Sequence, residues 1–347
     1  MTISKSNWVE RLVDVRDAAY LLAGLAYYGL RKETPERSYQ GMVRLFCRTG
    51  GRTNDLISRG ISALRPPEDL PAHHGVLGAL TDASRREIAL SLERDGYHVF
   101  EQRLDDASCD RLVELALRTP SIAQGAGPDG DAVLVLDREA PRAVRYDFKP
   151  DDLVANGDVQ ALMADWSLLT VAQDYLRAAP IIDIVTMWWH TAFQDRPDAR
   201  AAQFYHFDMD RPRWLKFFFY LTDVGPDNGP HCFIRGSHRT GGIADELLSR
   251  GYARLDDNDV ARHYPAADHV RFTGRKGTII AEDTRGLHKG QHVARGDRLM
   301  FQLEHTNTLF GGRFTRTAVS PVNDALRDRL RAYPRIYSAF ETGGARR

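Results

Sequence analysis

Cysteine is scarce in this chain: Cys47, Cys109 and Cys232 are odd in number and far apart. That excludes a disulfide framework and fits a reducing, cytoplasmic compartment. No Cys-x-x-Cys occurs, which argues against a zinc knuckle or an iron–sulfur site. Net charge is missing as well. The 47 basic residues balance 47 acidic ones, and the pI is about 7.2, so no nucleic-acid partner is expected. Long hydrophobic runs are also absent. The longest, Ala18 to Leu30, has 13 residues, too few to cross a bilayer. It reads as a packing helix; the basic residues that follow (Arg31, Lys32, Arg37, Arg44, Arg48) leave a membrane-surface helix as the lesser reading. The polar start, Ser4-Lys5-Ser6-Asn7-Trp8, reads as lacking a cleavable leader.

What is present suffices for a large core. With 347 residues, 43% of them hydrophobic, one large domain or a domain with an extension is expected. The chain is expected to divide into a helical N-terminal extension (1–80), a main domain (81–320) and a C-terminal helix and tail (321–347). Gly50–Asp55 reads as a loop and helix start, and Leu64–Asp69 as a linker. Asp82 is expected to cap a helix through Glu93, and Asp105/Asp106 to start another through Leu117. Apolar spacing predicts one long helix over Asp158–Leu176. Strands are predicted at Tyr97–Phe100, Ile181–His190, Phe204–Asp208, Trp214–Thr222, His231–Ile234, Thr278–Glu282 and Leu299–Glu304. Helices first and strands second make an α+β chain with a sandwich or barrel. No internal repeat or low-complexity tract is visible.

One constellation carries chemistry. His206-Phe207-Asp208 is a His-x-Asp pair. With 12 His and 34 Asp in the chain, about one such pair arises by chance, so its context decides. On a strand, His206 and Asp208 point to the same side. His288 follows the strand Thr278–Glu282 after a short loop. Two His and one carboxylate on one face form the ligand set of a non-haem Fe(II) site, with positions left open for a 2-oxoacid and O2. Arg298 opens the last strand and shares a face with Met300 and Gln302. Arg is a planar fork suited to a carboxylate, either that of a bound dicarboxylate or that of Asp297 in a surface ion pair. Spacing leaves both readings open.

From about Asp95 to Thr306 the chain resembles the phytanoyl-CoA dioxygenase family of Fe(II)/2-oxoglutarate oxygenases. The residues that carry the resemblance are Asp95-Gly96-Tyr97, His206-Phe207-Asp208, Leu221-Thr222-Asp223, Asn228-Gly229-Pro230, Ile234-Arg235-Gly236-Ser237-His238, Gly277-Thr278, Asp283, His288 and Arg298. It implies iron bound by His206, Asp208 and His288, and 2-oxoglutarate held by Arg298 through its far carboxylate. It also implies a double-stranded β-helix (jelly-roll, cupin-like) core flanked by helices. Arg235 departs from the usual Pro before Gly-Ser-His, and Cys232 and Phe233 follow the Asn-Gly turn; both departures concern a loop, not the metal set. Related halogenases replace the carboxylate with Gly or Ala, so the resemblance with Asp208 in place implies hydroxylation of an unactivated C–H, or a related two-electron oxidation, with release of succinate and CO2.

Other residues have local readings. Lys216, Phe218, Tyr220 and Thr222 share a strand face, and Lys216, Tyr220 and Thr222 are the candidate cosubstrate contacts. His292 lies too near Arg298 to replace His288. His238 is read as structural, His231 as a surface residue with approach to the site as its lesser reading, His190 and its Trp neighbours as core. Tyr146 and Lys149 are read as a surface loop, with lining the mouth of the site as the lesser reading. Thr240–His269 is either a lid or a solvated insertion. Two rival functions stand: a non-catalytic metal-binding cupin-like barrel, and the same enzyme acting at a membrane surface on a lipid-linked substrate. The expected partner is a small-molecule substrate.

Overall fold

A computed structural model describes residues 5–342. The first four residues of the N-terminal extension and the last five of the tail lie outside the described residues. Three helices open the chain: α1 (Lys5–Arg31), α2 (Glu36–Thr49) and α3 (Arg52–Leu64). Gly50, left-handed at φ 57°, caps α2, as the Gly50–Asp55 stretch anticipates.

The Ala18–Leu30 stretch is the second half of α1. Its inner face packs on α2, where Asp17 is fully buried and accepts two bonds from Arg44, at 2.8 and 2.9 Å. Its outer face leaves Leu22 and Leu30 68% and 85% exposed. Among the described residues no helix is long and apolar enough to cross a membrane.

Two sheets form the centre. The larger has eight strands, which we number β1 (Tyr97–Arg103), β2 (Ser121–Gly127), β3 (Gly130–Leu134), β4 (Arg145–Asp147), β5 (Ile181–Thr191), β6 (Trp214–Tyr220), β9 (Thr278–Glu282) and β11 (Asp297–Thr306). Its order is β1-β9-β6-β11-β5-β4-β2-β3. The smaller sheet, of three strands, has β7 (His231–Ile234) between β8 (His269–Phe272) and β10 (His288–Gly290). All pairings in both sheets are antiparallel.

Period-two alternation divides the larger sheet's faces. Leu215, Phe217 and Phe219 of β6, Met187 and Trp189 of β5, and Leu299, Phe301 and Leu303 of β11 join the main core, together with Leu168, Leu169 and Tyr175 of the helix Trp166–Leu176. The alternate residues face the smaller sheet, and the cavity described below lies between them.

Three local expectations change. Thr81, not Asp82, caps the helix Asp82–Asp95, through a reciprocal bond with Ser84. The expected long helix is two, Gly157–Met163 and Trp166–Leu176, because Asp165 caps the second through Leu168 N at 3.0 Å. Residues 204–208 are not a regular strand; Tyr205 and His206 make isolated bridges to Leu255 and His288.

A second core cluster joins the N-terminal helices to the region around the His-x-Asp pair. Met42, Leu45 and Phe46 of α2 pack with Phe207 and Met209, and with Leu247, Leu255 and Val260 of the Thr240–His269 segment. Phe46 stacks on Phe207 at 5.3 Å. Phe46→Ala is therefore expected to cost about 3–5 kcal/mol of stability and also to weaken metal retention. Denaturant titration and a metal-binding titration on one preparation check both effects; a stability loss with metal affinity unchanged would separate α2 from the site.

Candidate metal and cosubstrate site

His206, Asp208 and His288 converge. One ligand atom from each lies within 4.8 Å of the others. His206 is fixed by its bridge to His288: the two backbones exchange bonds of 3.0 and 2.8 Å. Asp208 N donates to Thr284 O at 2.8 Å, which ties it to the loop before β10. Each imidazole uses Nδ1 on a nearby carbonyl: His206 on Phe204 O at 2.9 Å and His288 on Gly286 O at 3.0 Å. That leaves both Nε2 atoms facing Asp208, at 3.7 and 3.4 Å. A carbonyl on the far nitrogen fixes the ring and its tautomer, as metal-binding histidines require.

The electrostatics suit a cation. Burial works against the charge on Asp208, yet Lys216 and His288 outweigh it and hold the carboxyl well below its ordinary range. Burial pushes His206 well below the ordinary imidazole range. For His288 burial is overcome by Asp208, which raises it. Lys216 Nζ lies 2.6 Å from Asp208 and 3.4 Å from both Asp210 and Glu304. A carboxylate held ionised between two imidazoles is a donor set for a divalent cation.

Arg298 completes the cavity, which measures about 250 Å3. Arg298 is 1% exposed, and among the described residues no carboxylate pairs with it. Asp297 pairs instead with Arg138, at 2.7 and 3.0 Å. The surface ion-pair reading of Arg298 therefore falls away. Arg298 donates to Gly229 O and, at 2.6 Å, to His190 Nδ1, while its Nε has no acceptor. Burial lowers its pKa. A buried cation with an orphaned donor is costly unless an anion joins it, so the residues fit an anionic cosubstrate.

The family model for phytanoyl-CoA dioxygenase (PhyH) matches residues 92–293, more than half of the chain. The chain belongs to the phytanoyl-CoA dioxygenase family. With it the chain is an Fe(II)- and 2-oxoglutarate-dependent dioxygenase. A curated relative, the ectoine dioxygenase of Sphingopyxis alaskensis, is 28% identical over 255 residues, 66% of this chain and 77% of the relative. Two solved structures are similar. EctD from S. alaskensis with bound Fe is 22% identical, with TM-score 0.45, covering 70% of this chain and 83% of that one. HygX from Streptomyces hygroscopicus, with nickel and 2-oxoglutarate bound, is 18% identical, with TM-score 0.46, covering 72% and 94%.

The expected cosubstrate contacts of the dioxygenase divide. Lys216 lines the cavity with Phe218. Tyr220 does not; its hydroxyl donates to Phe272 O at 2.7 Å and accepts from His231 N at 3.1 Å. Thr222 ties two strands, its hydroxyl accepting from Leu299 N at 3.1 Å. Three residues read as bland are in the wall: Trp188, His190 and His231. Alternation could have placed Thr186, Trp188 and His190 together; for His231, beside the Asn-Gly turn, approach to the site was the lesser reading and a surface role the preferred one, yet it is buried. Tyr146 is also buried, bonded to Arg142 N and Ala143 N, and its neighbour Arg145 lines the cavity instead. Among the described residues His238 makes no side-chain bond to the loop; Ser237 Oγ does, donating to Ile234 O and accepting from Leu287 N. Gly96 permits that packing, since a Cβ there would lie 2.5 Å from His238.

His231 Nε2 lies 3.0 Å from both carboxyl oxygens of Glu282. Burial pushes Glu282 up to about 8 from 4.5. A raised carboxyl binds its proton in the folded state after the unfolded state has lost it. Stability is therefore lost as pH rises from about 4.5 towards 8 and is level above that. Glu282→Gln should flatten this slope and raise the melting temperature at pH 8 relative to the parent. Parallel melting curves for parent and variant from pH 5 to 8 would show Glu282 already ionised.

Proposed function

We propose that His206, Asp208 and His288 hold Fe(II), that Arg298 holds the far carboxylate of 2-oxoglutarate, and that the enzyme hydroxylates an unactivated C–H of a small-molecule metabolite. The observation that carries this is the buried Arg298, without a carboxylate partner among the described residues, in the same cavity as a two-His, one-Asp donor set.

Iron with 2-oxoglutarate and O2 supplies the oxidation, giving succinate, CO2 and a hydroxylated substrate. The chain's part is to bind, orient and exclude water. The carbonyls of Phe204 and Gly286 keep the His206 and His288 Nε2 atoms free for the metal. Lys216 holds Asp208 ionised and turned towards them. Arg298 fixes the cosubstrate's direction, and Gly229 O and His190 fix Arg298. Trp188 Nε1, buried in the same wall without an acceptor, offers one further donor. Phe218 and the Trp188 ring keep the wall dry.

The cavity volume supports a small substrate, or the reacting end of a larger one, and the relative's name, ectoine dioxygenase, supports a small metabolite. Three unpaired thiols support a cytoplasmic setting. The division into 1–80, 81–320 and 321–347 is kept as a proposal, with the extension packed against the catalytic part. The exposed Leu22 and Leu30 favour one second reading, docking of α1 on a lipid surface; co-sedimentation with liposomes would support it. The test of the main reading is succinate formation from 2-oxoglutarate with Fe(II). No turnover with any candidate substrate and no uncoupled turnover would favour the non-catalytic barrel.

A further inference from the structure

We propose that the chain carries a second ligand site, separate from the metal cavity, which takes a small phosphate-bearing anion. The site is a cleft of about 530 Å3 where α3 meets the end of the helix Trp166–Leu176, the Gly236–Thr240 turn and the loop before β10. It shares no lining residue with the metal cavity.

Its wall is unbalanced. Five arginines face two acids, and both acids are engaged: Asp55 by Arg285, and Glu93 by Arg177. Arg285 is also held by Asp283 at 2.7 Å. Arg59, Arg213 and Arg239 remain, and among the described residues none of them has a carboxylate within ion-pair distance. Arg213 is fixed with its guanidinium 4.3 Å from the centre of the Tyr175 ring, and its Nε is buried without an acceptor. Like charges sharing one concavity repel, and the cost is largest where water is partly excluded. Asp55 and Asp283 share Arg285, so five arginines meet three carboxylates, and the surplus of two positive charges around one cleft calls for an anion.

The chemistry selects among anions. A single carboxylate offers one fork to one guanidinium. A phosphoryl group offers three oxygens and up to two charges, and so bridges several arginines. The cleft is larger than one phosphate, which leaves room for the body that bears it.

The position links the cleft to the metal centre. Arg285 stands on the same loop as Thr284, whose carbonyl accepts from Asp208 N, and Gly286, whose carbonyl accepts from His288 Nδ1. A ligand at Arg285 thus touches the loop that supports two of the three donor residues.

Isothermal titration of inorganic pyrophosphate into the metal-free, full-length protein tests the site. The expected result is saturable binding of about one per chain, weakened at least about tenfold in the Arg59→Ser/Arg239→Ser double variant, a loss of about 1.4 kcal/mol. Arg59 and Arg239 are exposed, so the double variant should keep the parent's melting temperature and its turnover of 2-oxoglutarate. Arg298→Ala, altered only in the metal cavity, should bind pyrophosphate as the parent does. Absent saturation, undiminished binding in the double variant, loss in Arg298→Ala, or equal binding of citrate would each overturn the proposal.

Discussion

Arg298→Ala should raise the KM for 2-oxoglutarate by about two orders of magnitude or more, with the barrel intact. A buried, bidentate, charge-assisted contact is worth roughly 3 kcal/mol or more, and each 1.4 kcal/mol is a factor of ten. The fold should not suffer in proportion, because the guanidinium is buried with no carboxylate partner and removing it also removes an unpaired charge. Gly229 O and His190 lose a donor, so a shift of a few degrees in melting temperature is the upper expectation. Arg298→Lys keeps the charge and loses the fork; it should fall between parent and Ala. Steady-state kinetics at varied 2-oxoglutarate check this directly. An unchanged KM in Arg298→Ala would show that the cosubstrate's far carboxylate sits elsewhere.

Replacing any one of His206, Asp208 or His288 by Ala should lower succinate formation by about a thousandfold or more, since the chemistry rests on the metal. The three variants should lose iron together rather than in turn. Asp208→Ala should stay folded. It removes one of three acids around Lys216, and Asp210 and Glu304, each 3.4 Å from Nζ, remain. Metal content after dialysis, read beside turnover, separates loss of iron from loss of fold. Full iron retention in His288→Ala would return the third position to another side chain. His231 is the nearest such imidazole, its ring centre 5.7 Å from that of His288.

Much of this architecture is legible in the residues, because strand alternation is a simple rule. The faces of Trp214–Tyr220 and Asp297–Thr306 separate as alternation requires, with the polar face of Lys216 and Phe218 towards the cavity. Arg298 could be read only as one of two things until its burial was known. Other features depend on tertiary placement. His206 and Asp208 share a side although 204–208 is no regular strand, because the bridge to His288 and the bond from Asp208 N to Thr284 O hold the segment extended. The Asp158–Leu176 periodicity runs through a break, since Asp165 spends its carboxylate on Leu168 N and Val76 N. A histidine beside an Asn-Gly turn reads as surface, and only the smaller sheet's stacking buries His231. The N-terminal helices carry no chemistry-bearing motif, so their packing against Phe207 could not be read in advance.

His206, Asp208 and His288 should hold Fe(II) in a cavity where Arg298 receives 2-oxoglutarate. The most direct test is the visible absorption of the protein under anaerobic conditions as Fe(II) and then 2-oxoglutarate are added. An iron–oxoacid band is expected that needs both additions, saturates at one iron per chain, and is lost in His288→Ala. No band in the parent, or the same band at the same stoichiometry in His288→Ala, would contradict it.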